Sequence, residues 1–195
     1  MPSISLHNWR TRSAKALDEI EAAHAALGGA GPGRRYATQQ VNYAYAMLLC
    51  SQFQKFCRDL HTECADVLAG GFGTKPIADA RSAIFKSALV HGRKLDIGNP
   101  NPANIGSDFG RFGLDFWQAV AAAGPGNSER QRKLQNLTDW RNSIAHQDFE
   151  RHAMTRRTLR LRDVRNFRSA CDGLVRTFDF VMRRRLEAII GIVPW

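Results

Sequence analysis

No run of 18 apolar residues occurs in this chain, so no membrane-spanning helix is expected. Residues Met1 to Trp9 contain no apolar core segment of the kind a secretory signal needs, so export is not expected either. Cysteine is sparse: Cys50, Cys57, Cys64 and Cys171. The first three are spaced by seven within one helical pattern. Neighbours at that spacing lie about 10 Å apart along a helix, too far for a disulfide. Reduced thiols and a cytoplasmic location are the corresponding expectation. No phosphate-binding P-loop is present, because Gly70-Gly71-Phe72-Gly73 lacks the following Lys-Ser/Thr and reads as a turn. Neither Gly-x-Ser-x-Gly nor His-Glu-x-x-His occurs, and there is no internal repeat, low-complexity tract or linker. A single domain over 1–195 is the natural division.

Acidic residues are outnumbered: 18 Asp plus Glu face 28 Lys plus Arg, a formal charge of +10. The excess is uneven. From Ser128 onward there are 15 basic against 8 acidic residues, which accounts for +7 of it. Such a balance favours polyanionic partners, nucleic acid first among them.

Apolar spacing is helical almost throughout. A first helix is expected from about Asn8 to Leu27, ended by the glycine-rich stretch Gly28 to Gly33. A second, long helix runs from Thr38 to Leu68 on the stripe Tyr45, Leu49, Phe53, Phe56, Leu60, Cys64 and Val67. Pro76 suits the first turn of a third helix reaching Leu89. Gly92 to Ser107, with Asn99-Pro100-Asn101-Pro102, reads as the largest irregular segment. A shorter helix carries Phe109, Phe112, Phe116, Trp117 and Val120. Ser128 is the expected N-cap of the next, with Leu134, Leu137, Trp140, Arg141 and Ile144 along its inner edge. His152 to Leu161 has no clear period, and Thr158 to Leu161 reads as a short extended piece. The last helix runs from about Asp163 to Ile190 on the seam Val164, Phe167, Cys171, Leu174, Phe178, Val181 and Ile189. The expectation is an all-α fold, an antiparallel helical bundle built on the two longest helices with shorter accessory helices.

The segment Trp140-Arg141-Asn142-Ser143-Ile144-Ala145-His146, at the expected end of a helix, carries the most specific chemistry. Spacing alone says little: 22 arginines and six histidines make roughly 0.7 Arg-x4-His pairs expected by chance. Context adds weight. Asn142 follows Arg141 directly, Gln147-Asp148 breaks the apolar period, Trp140 and Ile144 flank the motif, and an arginine-rich segment comes next.

With this motif the chain resembles the HEPN superfamily, whose mark is an arginine, a polar neighbour and a following histidine. Gly98-Asn99-Pro100-Asn101-Pro102 and Asp108-Phe109-Gly110-Arg111-Phe112-Gly113-Leu114 also resemble a stand-alone bacterial subgroup of the RiboL-PSP type. The resemblance implies a helical bundle that forms a homodimer, a metal-independent endoribonuclease without cofactor, and service as a toxin or antiviral defence effector. It assigns Arg141 and His146 as the catalytic pair and Asn142 as the supporting polar residue. It also implies an antitoxin or nucleotidyltransferase-like regulator. Some HEPN toxins carry a tyrosine two positions after the histidine that such a partner modifies; here that position is Asp148, which argues against control by that route.

The residue types suit the reaction independently. RNA supplies its own nucleophile, the 2′-OH. Cleavage needs a base for that hydroxyl, an acid for the departing 5′-oxygen and positive charge at the phosphorane. Histidine serves both proton roles near neutrality, and arginine offers a permanent charge with forked donors. The products are a 2′,3′-cyclic phosphate and a 5′-hydroxyl. Positions five apart on a helix diverge by about 140°, so Arg141 and His146 converge only if the helix unwinds near His146 or a two-fold partner contributes the second set. The plainer reading pairs Arg141 with Asp139 or Asp148 and makes His146 a helix-end cap.

Arg151, Arg156, Arg157 and Arg160, with Arg162, Arg165 and Arg168 beyond, form either an RNA-binding rim beside the cleft or a solvated face with local ion pairs. Arg183-Arg184-Arg185 reads as a helix-end charge cluster. Cys57, His61 and Cys64 share a helix face, but a zinc site would need a fourth ligand, and core thiols are the better reading. His152 reads as a surface residue. The alternative to an enzyme is a non-catalytic RNA-binding or protein-interaction helical module.

Overall fold

The computed structural model describes residues 1–27, 35–70, 76–149 and 158–195. The described residues contain helices and no strand. In chain order they are α1 (Ile4–Asn8), a π-helical turn (Trp9–Ser13), α2 (Ala14–Leu27), α3 (Arg35–Gly70), α4 (Pro76–Val90), α5 (Lys94–Ile97), α6 (Pro102–Gly110), α7 (Phe116–Ala122), α8 (Asn127–His146) and α9 (Leu161–Ile190).

Helix α3 is the axis of the molecule. Its stripe Tyr45, Leu49, Phe53, Cys57, Leu60 and Cys64 is fully buried and meets α9 through Phe53 and Phe178, whose ring centroids are 6.0 Å apart. Helices α2 and α3, and likewise α8 and α9, run antiparallel. Ser13 bonds Gln52 and Glu21 bonds Tyr45 between α2 and α3, and Asn127 at the start of α8 meets Thr177 far along α9. The two longest helices, by contrast, run in the same direction. Asn42 contacts Leu159 just ahead of α9, Tyr45 contacts Arg168, and Leu68 lines a groove with Ile189 and Ile190. Among the described residues, the buried apolar side chains other than Ala69 and Ala170 join one cluster that includes Leu134 and Leu137 of α8 and Ile105, Phe109 and Phe116 of the accessory helices. Burying an aliphatic or aromatic side chain of this size stabilises the fold by about 1.5–3 kcal/mol each, before the entropy cost of ordering it.

The N-terminus departs from the expected single helix. The Ser3 hydroxyl caps α1 by accepting from the Leu6 amide at 3.0 Å, and the Glu63 carboxylate takes the Ile4 and Ser5 amides at 2.8 and 3.0 Å. The π-helical turn that follows seats Trp9 between Phe53 and Phe56, with its indole N–H donated to Asp172. The π-helical turn re-aims the apolar stripe, and the Ser3 cap starts the helix at Ile4, ahead of the expected Asn8.

Gly92 to Ser107 is more ordered than expected. The Asn101 side chain accepts from the Asn104 amide at 2.8 Å and Pro102 takes the first helical position of α6, so Asn-Pro is a helix start here. Asp108 caps α5 from a distance, accepting from the Lys94 and Leu95 amides at 2.9 and 2.8 Å. The aromatic run from Phe109 to Val120 is divided between α6 and α7, with the Asp115 carboxylate capping α7 at Gln118. Helix α8 begins at Asn127, one residue before the expected cap Ser128, because Gly126 turns left-handed at φ 86°. Thr158 to Arg160 forms no strand and leads directly into α9.

The four thiols are free and buried. Burial pushes the Cys57, Cys64 and Cys171 thiols well above their ordinary range. His61, between Cys57 and Cys64, faces away from any metal role. Its Nε2 lies 3.1 Å from the Asp108 carbonyl oxygen and its Nδ1 3.4 Å from the Arg93 guanidinium, with the Phe112 ring at 4.8 Å. Among the described residues no helix is long and apolar enough to cross a membrane.

Candidate functional site

The last turns of α8 carry the motif. Leu134 and Leu137 anchor the helix in the core, and Trp140 fixes its rotation by packing against Tyr43 of α3 and Phe149 beyond the helix end. That rotation puts Arg141 and Asn142 at the half-buried edge, Ser143 inside, and Ala145 and His146 in solvent. The helix stays regular through His146. It stops where Gln147 adopts a left-handed conformation, φ 55°, and the Ser143 carbonyl receives the Gln147 and Asp148 amides, the latter at 3.1 Å.

The plainer roles for the pair are not met among the described residues. Among the described residues Arg141 has no carboxylate partner. Asp139 instead accepts from Gln135 at 2.8 Å, and the hydrogen-bond partner of Arg141 is the Asn142 side-chain oxygen, 3.3 Å from Nη1. The positive charge of Arg141 also reaches α3: burial raises the Cys50 thiol to about 12, and Arg141 opposes that rise. His146 does not cap the helix. The Gln147 side chain does, donating to the Ile144 carbonyl at 2.8 Å, while the His146 imidazole is exposed with no hydrogen-bond partner among the described residues.

Of the two routes to convergence, unwinding before His146 is not seen: the helix is regular through that residue. Over five helical residues the two side chains are separated by about 7.5 Å of axial rise and about 140° of rotation. One chain therefore presents a guanidinium on one side of the α8 end and an imidazole on another.

One residue outside the motif belongs to this site. Asn99, in the loop between α5 and α6, donates its side-chain amide to the Asn142 oxygen in a short hydrogen bond. The loop is held from two sides. Gln54 of α3 donates to the Leu95 and Gly98 carbonyls at 2.7 and 2.8 Å, and Asn104 of α6 donates to the Asn99 carbonyl at 2.8 Å. In the sequence Asn99-Pro100-Asn101-Pro102 signals only a turn; the partner, 43 residues away, has no local signature.

Of the expected RNA-binding arginines, Arg151, Arg156 and Arg157 lie outside the described residues. Arg160 is exposed ahead of α9, in a groove of about 720 Å³ with His24, Asn42 and Leu159, and its guanidinium has no acidic partner among the described residues. The arginines further along are engaged. Arg165 pairs with Glu21 at 2.6 Å, and Arg168 with Asp18 at 2.7 Å. For these two the local ion-pair reading applies. Arg185 is no simple charge cluster: it donates to the Phe112 and Gly113 carbonyls, both at 2.8 Å. His152 lies outside the described residues. No group of three or more histidine, cysteine or acidic side chains placed to hold a metal ion occurs among the described residues.

Comparison with protein-family models, with curated proteins and with solved structures gave no match for this chain.

Proposed function

We propose that this protein is a HEPN-type, metal-independent endoribonuclease that acts as a homodimer. The observation that carries the reading is the state of the α8 end. An arginine free of any carboxylate among the described residues lies beside a fixed amide, and an exposed imidazole with no hydrogen-bond partner among those residues ends the same helix. Arg165 and Arg168, by contrast, are each engaged by an acid. A guanidinium held only by a neutral amide keeps further donors available to a phosphate.

In the proposed reaction two copies of the α8 end meet across a two-fold axis, so that two His146 imidazoles and two Arg141 guanidiniums line one cleft. One imidazole takes the proton of the ribose 2′-OH as that oxygen attacks the adjacent phosphorus. The other gives a proton to the 5′-oxygen as its bond to phosphorus breaks. The Arg141 guanidinium stabilises the negative charge gathered on the phosphorane oxygens, and Asn142 holds that guanidinium. The ends left are a 2′,3′-cyclic phosphate and a 5′-hydroxyl. A role as a toxin or antiviral defence effector, with RNA and a regulatory protein as partners, fits such an activity. The net charge of +10 supports a polyanionic substrate.

The deciding experiment incubates total RNA with the protein in EDTA and analyses the new ends, with Arg141→Ala and His146→Ala in parallel. Cyclic phosphate ends made by the wild type alone support the reading. Cleavage that stops in chelator, or survives His146→Ala, refutes it. RNA bound in a salt-sensitive way and recovered intact would mark a binding module instead.

A further inference from the structure

The polarity of the hydrogen bonds around Asn142 is set by the one group that has no choice. A guanidinium has five donors and no acceptor, and stays charged in proteins. The Asn142 atom facing Arg141 Nη1 at 3.3 Å is therefore its oxygen. The atom of Asn99 that faces the same oxygen must then be a donor, its Nδ2. An amide oxygen has two lone pairs, and these two donors occupy both. Asn142 is thus locked in one orientation, its own Nδ2 directed away from Asn99 and uncommitted within the described residues.

The loop that delivers Asn99 is over-determined for a surface connection. Two successive carbonyls, those of Gly98 and Asn99, are held by Gln54 and Asn104. Pro100 is buried, and Asn101 is fixed as the α6 cap. Gly98 is needed as glycine, because a Cβ there would stand 2.8 Å from Asn104 Nδ2 and 3.1 Å from the Lys94 carbonyl oxygen. Anchorage of this kind on α3 and α6 gives the Asn99 amide a fixed position relative to α8. Without it, Arg141 would be tethered only by its own flexible neighbour, which can turn with it.

We propose that Asn99 is a positioning residue for RNA cleavage: its amide fixes Asn142, and through Asn142 orients the Arg141 guanidinium toward the scissile phosphate. The inference rests on the proposed ribonuclease reading and adds a residue from outside the helical motif. Asn99 touches neither substrate nor reacting atoms. It acts by removing the rotational freedom of the group that does, and misplacement of a catalytic group by about 1 Å is enough to cost on the order of 100-fold in rate.

The test is a double-mutant cycle measured on a defined RNA. Asn99→Ala, Asn142→Ala and the double variant are compared with wild type, together with Asn99→Asp, which keeps the shape of the side chain and removes its donor. Asn99→Ala and Asn99→Asp are each expected to lower kcat by about 10- to 100-fold with KM within about two-fold of wild type, as for loss of an interaction that acts only in the transition state. In the Asn142→Ala background the Asn99 change is expected to cost less than about two-fold, because both act through one bond. Losses that multiply in the double variant, an Asn99→Asp enzyme as fast as wild type, or a fall in activity matched by loss of the folded state in thermal unfolding would overturn the role. A wild-type protein that leaves RNA intact removes the ribonuclease reading itself; an active wild type beside an equally active Asn99→Ala removes only this inference.

Discussion

His61 gives the sharpest link between the packing of this protein and a bulk measurement. The imidazole is wholly buried, its Nε2 directed at the Asp108 carbonyl and its Nδ1 facing the Arg93 guanidinium. Burial first, and the charge of Arg93 second, lower its pKa from 6.5 to about 4. The ring is therefore neutral in the folded protein and accepts a proton more readily when the chain unfolds. Between about pH 6.5 and pH 4 the unfolded state binds more protons, so stability falls as the pH is lowered through that window and is complete above it. Linkage with these two values gives a loss of about 2 kcal/mol between about pH 7.5 and pH 5, rising to about 3 kcal/mol near pH 3.5. Urea unfolding followed by tryptophan fluorescence measures it. Other groups titrate over the same range, so the quantity to read is the difference between wild type and His61→Gln, whose amide retains a donor for the Asp108 carbonyl. The variant is expected to be less stable at neutral pH, because ring contacts to Phe109 and Phe112 are lost. Its deficit is expected to shrink by about 2 kcal/mol on acidification to pH 5. Parallel curves, with a deficit constant to within about 0.5 kcal/mol, would refute the assignment of a neutral buried imidazole.

Further outcomes follow from the site and its scaffold. Arg141→Ala is expected to change unfolding free energy by less than about 1 kcal/mol, since Arg141 has no ion pair among the described residues, while RNA cleavage drops at least about 100-fold; stability and activity falling together would point to a structural arginine. Asp108→Ala leaves the Lys94 and Leu95 amides uncapped and is expected to destabilise by about 2–3 kcal/mol in denaturant titration. Gly98→Ala is expected to cost about 1–3 kcal/mol, because the new methyl meets the Lys94 backbone oxygen; an unchanged unfolding midpoint would show that the loop can shift.

Local pattern carried much of the architecture. The stripe on α3 from Tyr45 to Cys64 and the seam on α9 from Val164 to Val181 are buried as apolar periodicity requires, because a helix must hide one face whatever its neighbours are; at the far ends Val67 is only half-buried and Ile189 is exposed. The end of α8 at His146 was marked by the loss of that periodicity at Gln147 and Asp148. The same logic misled where a cap came from far away. The α5 amides are satisfied by Asp108, so a segment full of glycine, proline and asparagine contains helix. It also missed the π-helical turn at Trp9–Ser13, whose extra residue makes sense only beside Phe53, Phe56 and Asp172.

The candidate site divides in the same way. Which residue types stand together, Arg141, Asn142 and His146, and that they close a helix, follows from the order of residues alone, because neighbours in a helix are neighbours in space. Whether Arg141 would be spent on an acid, whether His146 would face water, and which side chain would hold Asn142 could be answered only after folding. Each depends on groups brought in from α3, from the loop at Asn99 and from the α8 end, and contacts between segments tens of residues apart leave no periodic trace in the chain.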